Sequence, residues 1–205
     1  PLKSFLLIDD DFVIMVLVAI SFAMARPFGI KMGMTPDDLI AMGCNPRFEM
    51  DILTWKLYEI TPPQTHPSFE SYSVQMSKKY GVFRIFAFGK NIDISICDEG
   101  LRDEFNKIKN QISKSYGQSD DYDFSNPDSL LDKDSEMVKL LKEQGHILYS
   151  IWDSDSGATL SDDIGRISLG ATIEDASIGR LILSYSSIHI SDIYMGVEDE
   201  ESSVF

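Results

Sequence analysis

The residues best suited to hold a metal or act as nucleophiles are three histidines, His66, His146 and His189, and two cysteines, Cys44 and Cys97. None stands within a few positions of another, so no sequence-local zinc pattern exists. A glycine-rich phosphate loop, a Gly-x-Ser-x-Gly elbow and a Cys-x-x-Cys pair are all absent from the sequence. Asp153-Ser154-Asp155-Ser156-Gly157 opens like a calcium loop, because alternating aspartates can turn carboxylate oxygens toward one hard cation. Its glycine comes one position early, and Ile164 stands where a closing bidentate glutamate belongs, so the stretch reads as a polar turn. Acid-base chemistry would need a carboxylate and a histidine brought together by the fold, for instance Glu70 and His66 beside a proline-rich loop. The expectation is a chain with no catalytic, cofactor or metal site.

Other residues are suited to contact. Asp120, Asp121 and Asp123 form an acidic cluster that reads either as solvated loop charge or as a surface for a basic partner. Trp55, Phe69 and Tyr72 belong to an aromatic concentration that continues through Phe83, Phe86 and Phe88. That is more apolar surface than one sheet face needs. The aromatics are either buried under helices or left open as a docking surface.

Phe12 to Ala25 is an uncharged run ending Ala23-Met24-Ala25, the small-x-small pattern that signal peptidase accepts. Its apolar core falls short of the ~20 residues that cross a bilayer. The reading is a signal peptide over 1–25 with a mature chain from Arg26, destined for the periplasm or secretion. A retained anchor helix and a buried core segment are competing readings of the same run. Export makes a Cys44 to Cys97 disulfide chemically allowed, while two buried free thiols remain the alternative. The chain of 205 residues carries a formal net charge of −15, and its basic stretches are short, which disfavours a nucleic-acid partner. Lys78-Lys79 reads as part of a turn.

The elements that must place these residues follow from periodicity. Thr35, Pro36, Asp37 and Asp38 begin a short helix that Gly43 ends. Residues 48–97 read as a β meander, with strands at 54–60, 69–77 and 82–89. Tyr72, Val74 and Met76 share one face, and Phe83, Ile85 and Ala87 share another. Leu101, Phe105, Ile108, Ile112 and Tyr116 make the apolar stripe of a helix over 99–116. A polar loop or linker over 118–133, a second helix over 135–144 and strands at 146–152, 164–173 and 178–190 complete the reading. Strands that come in runs predict an α+β fold, with helices packed on antiparallel meanders and arranged as two helix-plus-three-strand halves, 26–97 and 98–195. The acidic segment 196–205 reads as a flexible tail.

Gly33-Met34-Thr35 followed by Leu39, Ile40, Gly43 and Pro46 resembles the signature of the SmpA/OmlA envelope proteins, whose fold is shared with β-lactamase-inhibitor proteins. Arg26-Pro27-Phe28-Gly29, His66-Pro67-Ser68-Phe69-Glu70-Ser71-Tyr72 and Glu198 to Glu201 resemble, over nearly the whole mature chain, uncharacterised exported bacterial proteins. These resemblances imply export and carry no known activity. The functional expectation is a non-catalytic binding module whose partner is another envelope or extracellular protein, with no stable membrane span after cleavage. An inhibitor or immunity-type protein against a basic enzyme, and a hydrolytic enzyme with a carboxylate and histidine site, are the rival readings.

Overall fold

The computed structural model describes residues 26–125, 143 and 145–196. The signal run, the helix expected over 135–144 except Glu143, and the tail beyond Gly196 lie outside the described residues. Described elements run in the order α1 (Pro36–Ala41), β1 (Arg47–Ile52), β2 (Trp55–Ile60), β3 (Phe69–Ser77), β4 (Gly81–Gly89), β5 (Ile92–Asp93), α2 (Glu99–Tyr116), β6 (Asp120–Asp123), β7 (His146–Trp152), β8 (Ile164–Ile173), β9 (Ile178–Ser187) and α3 (Ile190–Tyr194). The fold is α+β and its strands pair antiparallel throughout.

One sheet holds all nine described strands in the order β1-β2-β3-β4-β9-β8-β7-β6, with β5 paired to β9 beyond the end of β4. The two meanders meet where β4 pairs with β9, from Arg84 opposite Ser186 to Phe88 opposite Ile182. Hydrogen bonding therefore runs across the boundary drawn at residue 97.

Register explains which side chains are buried. Tyr72 lies opposite Ala87 and Val74 opposite Ile85, and opposed residues point to the same side. The two rows thus share one face instead of two. A bulge after Gln75 turns Phe83 to the other face, where its ring meets Trp55 at 6.4 Å and Tyr194 at 5.8 Å. The core face gathers one hydrophobic cluster from Ile30, Leu39, Ile60, Val74 and Ile85 at one end to Ile167, Leu169 and Leu183 at the other. Leu101, Phe105, Ile108 and Ile112 of α2 are buried in that cluster, and α2 contacts β7, β8 and β9. Fully buried Trp152 donates its indole N–H to Ser113 Oγ of the helix at 3.2 Å, which satisfies its one polar atom.

Three expectations need correction. Asp120 to Asp123 is a strand, because pairing with Leu148 to Ile151 satisfies its backbone and cross-links hold its carboxylates to the helix and to β7. The last strand stops at Ser187, and residues 190–194 turn into a helix. The meander's first strand is not the one expected at 54–60: Arg47 to Ile52 is a strand before it, carried as an outer edge by a two-residue turn at Leu53-Thr54.

Candidate protein-docking surface

Among the described strands β1 is paired on one side only, and every residue in it is exposed. Its outer backbone donors and acceptors therefore face solvent in a row, the arrangement that accepts an added strand. Phe48 is 54% exposed, Met50 48% and the turn residue Leu53 104%, too much apolar surface on one hairpin to be scattered single residues. Leu53 has φ 24, the left-handed side that a two-residue hairpin turn demands.

A bulge at Glu49 divides the hairpin's side chains between the two faces of the sheet. Met50 opposite Leu57 and Ile52 opposite Trp55 fall on the outer face. There Trp55 lies 6.2 Å from Tyr194, whose hydroxyl donates to Gln75 Oε1 at 2.8 Å and accepts from Arg84 Nη1 at 3.3 Å. Exposed Met195 continues the apolar ground next to Tyr194. Phe48 opposite Tyr58, rings 5.9 Å apart, and Asp51 opposite Lys56 fall on the core side.

On that core side lies a cleft of 560 Å³ between the hairpin, the β3–β4 turn and the start of α1. Tyr58 and Met76 lie in its floor and Thr35 and Pro36 in one wall. Lys56, Lys78, Lys79 and Asp51 also line it, with Asp51 3.4 Å from Lys56. The wall is fixed locally. Thr35 Oγ1 accepts from the Asp38 amide while Asp38 Oδ2 accepts from the Thr35 amide at 2.8 Å, a reciprocal cap. The Thr35 amide, and then its hydroxyl, hold the Asp38 carboxyl below the usual carboxylate range. Gly33 donates to Val82 O and Val82 to Met34 O, both at 2.8 Å, which seats this wall on the start of β4.

Of the residues expected to touch a partner, Trp55 lies at this surface and Phe69 and Tyr72 do not. Both are buried, with Phe28 inserted between them and Tyr185, 4.8 Å from the Tyr72 ring. The Tyr72 hydroxyl accepts from the His66 amide at 2.9 Å. The acidic cluster at the opposite edge is largely engaged. Burial alone would raise the Asp121 carboxyl, but Lys109 Nζ at 2.5 Å and Ser150 Oγ at 2.6 Å bring it below the usual range. Asp123 is likewise brought down against burial by Ser125 and by Arg102 at 3.1 Å, and Asp120 stays exposed. Cys44 and Cys97 are free thiols. Cys44 is buried behind α1 and Cys97 is exposed in the approach to α2, so the disulfide is not formed.

The acid-base candidates also separate. Glu70 is exposed, while the His66 Nδ1 accepts from the Ser68 amide at 3.2 Å. The nearer carboxylate is Glu104, which takes the Ser68 hydroxyl and Lys107 Nζ at 3.0 Å. Burial would raise Glu104, and these two partners outweigh it. A carboxylate held anionic in an ion pair is a weak base, so the arrangement ties the proline-rich loop to α2. Asp153 Oδ1 accepts from the Asp155 and Ser156 amides, and Oδ2 pairs with Arg166 Nη2 at 2.9 Å, which engages both oxygens of the calcium-like turn. Among the described residues no three histidines, cysteines or carboxylates converge on a metal position, and no helix is long and apolar enough to cross a membrane.

Sequence reasoning missed β1 and its alternating Phe48, Met50 and Ile52, which were the available signal. It also placed Lys78 and Lys79 in a turn without seeing that this turn borders a cleft. No family model matches the chain, and no curated protein or solved structure matches it either.

Proposed function

We propose that this chain is an exported, non-catalytic protein-binding module that takes an extended segment of another envelope or extracellular protein onto the free edge of β1. The open apolar edge of the β1–β2 hairpin carries this reading. Strand addition fits it because main-chain hydrogen bonds supply affinity and alternate side chains supply selectivity. In the same reading each half lays a helix on its meander, α1 over β2 to β4 and α2 over β7 to β9, and the hairpin is the part of the first half left uncovered. Export and the likeness to exported bacterial proteins belong to this proposal. The immunity-type reading is less favoured, because the carboxylates of Asp121 and Asp123 are engaged within the chain.

The test is site-specific photo-crosslinking from position 50 and, as a control, from position 174 in the turn between β8 and β9, in cells exporting the protein. A discrete adduct from position 50 alone is expected, and it should be lost when Phe48→Asp and Ile52→Asp are combined with the crosslinker kept at position 50. Equal labelling from both positions, or none from the hairpin, would sink the proposal. Both residues are exposed, so the double variant should keep its melting temperature.

A further inference from the structure

We infer that a recess on the core side of the sheet, bounded by α2, the Arg26–Gly29 segment and the proline-rich loop, binds a single uncharged sugar ring. None of its lining residues belongs to the β1–β2 hairpin, so this site stands independently of the docking reading. The observation that carries it is a hydroxyl without a partner. Tyr185 is 7% exposed and lines the recess, yet its O–H makes no hydrogen bond to a described residue. Tyr72, the other tyrosine of this aromatic nest, accepts from the His66 amide. A buried polar group ordinarily has a partner, and one left open toward a recess is matched by what enters it. Burial, and then the neighbouring Tyr116, hold the Tyr185 phenol far above its usual range, so it stays a neutral group that both donates and accepts.

The walls match that hydroxyl in kind. Gln111 and Ser115 stand one turn apart on α2 and line the recess beside buried Ile108 and Ile112. Gln64 comes from the loop, and none of these three side chains has a hydrogen-bond partner among the described residues. Amide and hydroxyl groups each offer donor and acceptor, which is what a ring of hydroxyls presents in return. The lining contains no carboxylate, Arg26 is its one residue of fixed charge, and His66 is occupied in accepting from the Ser68 amide. Phe28 and Tyr116 supply flat apolar surface suited to the C–H face of a sugar. Phe28 is held there against its backbone preference, since φ 55 and ψ 21 lie in the left-handed region that bulky side chains rarely adopt. Ring contacts with Phe69, Tyr72 and Tyr185 retain it, and its carbonyl accepts from the Gln64 amide at 3.1 Å. Strain of this kind gathers at ligand clamps. At 240 Å³ the recess is smaller than those that take drug-sized ligands, which start at about 300 Å³, and it has room for one ring.

The test is calorimetry with ligand-observed saturation-transfer NMR on the whole chain. The probes are the methyl glycosides of glucose, galactose, mannose and N-acetylglucosamine. Cyclohexylmethanol serves as a ring with a single hydroxyl, and glucuronate as a charged sugar. Saturable binding of at least one glycoside, at least about tenfold tighter than cyclohexylmethanol and no weaker than glucuronate, is the expected result. Tyr185→Phe removes only the unpartnered hydroxyl, so it should keep the melting temperature and weaken that glycoside about tenfold. Gln111→Leu, on the exposed side of α2, should weaken it as well and gives a second readout should the first variant fold poorly. No saturable binding of any of the four glycosides, tighter binding of cyclohexylmethanol or glucuronate, or unchanged affinity in either folded variant would overturn the inference.

Discussion

At the scale of single residues, solvent access separates the two thiols. Burial raises the Cys44 thiol above its ordinary value and closes it to reagents, while Cys97 lies open. Native protein should take up one equivalent of an alkylating agent at Cys97 and a second only on unfolding, which intact mass and peptide mapping would read. Two labels, or none until a reductant is added, would contradict the structure. His146 makes a second prediction. Its ring stands edge-on to Tyr149, over Gly170, where a Cβ would come within 2.5 Å of the imidazole, and its Nδ1 has no hydrogen-bond partner among the described residues. Burial pushes its pKa down to about 4. Between that value and about 6.5 the unfolded chain binds a proton that the folded chain refuses, so stability falls as pH drops through this window. The upper bound is about 3 kcal/mol, reduced because the residue is only half-buried. His146→Phe should flatten the melting-temperature profile between pH 6.5 and 4.5, and an unchanged slope would refute the assignment.

At the scale of elements, the turn between β3 and β4 depends on Gly81. Its φ is +62, and a Cβ there would lie 2.5 Å from Gly33 O and 2.6 Å from Met34 O. Gly81→Ala should therefore cost about 1 to 3 kcal/mol, seen as a lower urea midpoint, and should loosen the cleft wall as well. A midpoint within error of the parent would show that the wall yields freely. Elements written by one strong rule were the legible ones. The helix at 99–116 and the strands at 69–77, 146–152 and 164–173 match their expected bounds, since periodicity and glycine or proline stops decide them locally. β6 was not legible, because its aspartates are poor strand formers and hold there through Lys109, Arg102 and Ser150, which lie far away in sequence. The cleft was legible only in pieces. Trp55 was named for its type, whereas Lys56, Lys78 and Lys79 acquire meaning when the hairpin and the turn are set side by side.

At the scale of the whole molecule, the outer edges of the sheet differ in character. The β6 edge is short and acidic, which discourages another strand from pairing there, and the β1 edge is longer and carries apolar side chains. The centre is different again. The β4 and β9 partners are separated by roughly a hundred positions of chain, so their pairing is among the most non-local contacts in the molecule. A ribosome or a translocation pore delivers the chain from its amino end, and β4 emerges long before β9 exists. Throughout that interval the strand holding Phe86 and Phe88 has a bare flank in the middle of the future sheet. The seam is thus the last stitch, and the half-made protein is at its most aggregation-prone just before the final strand arrives.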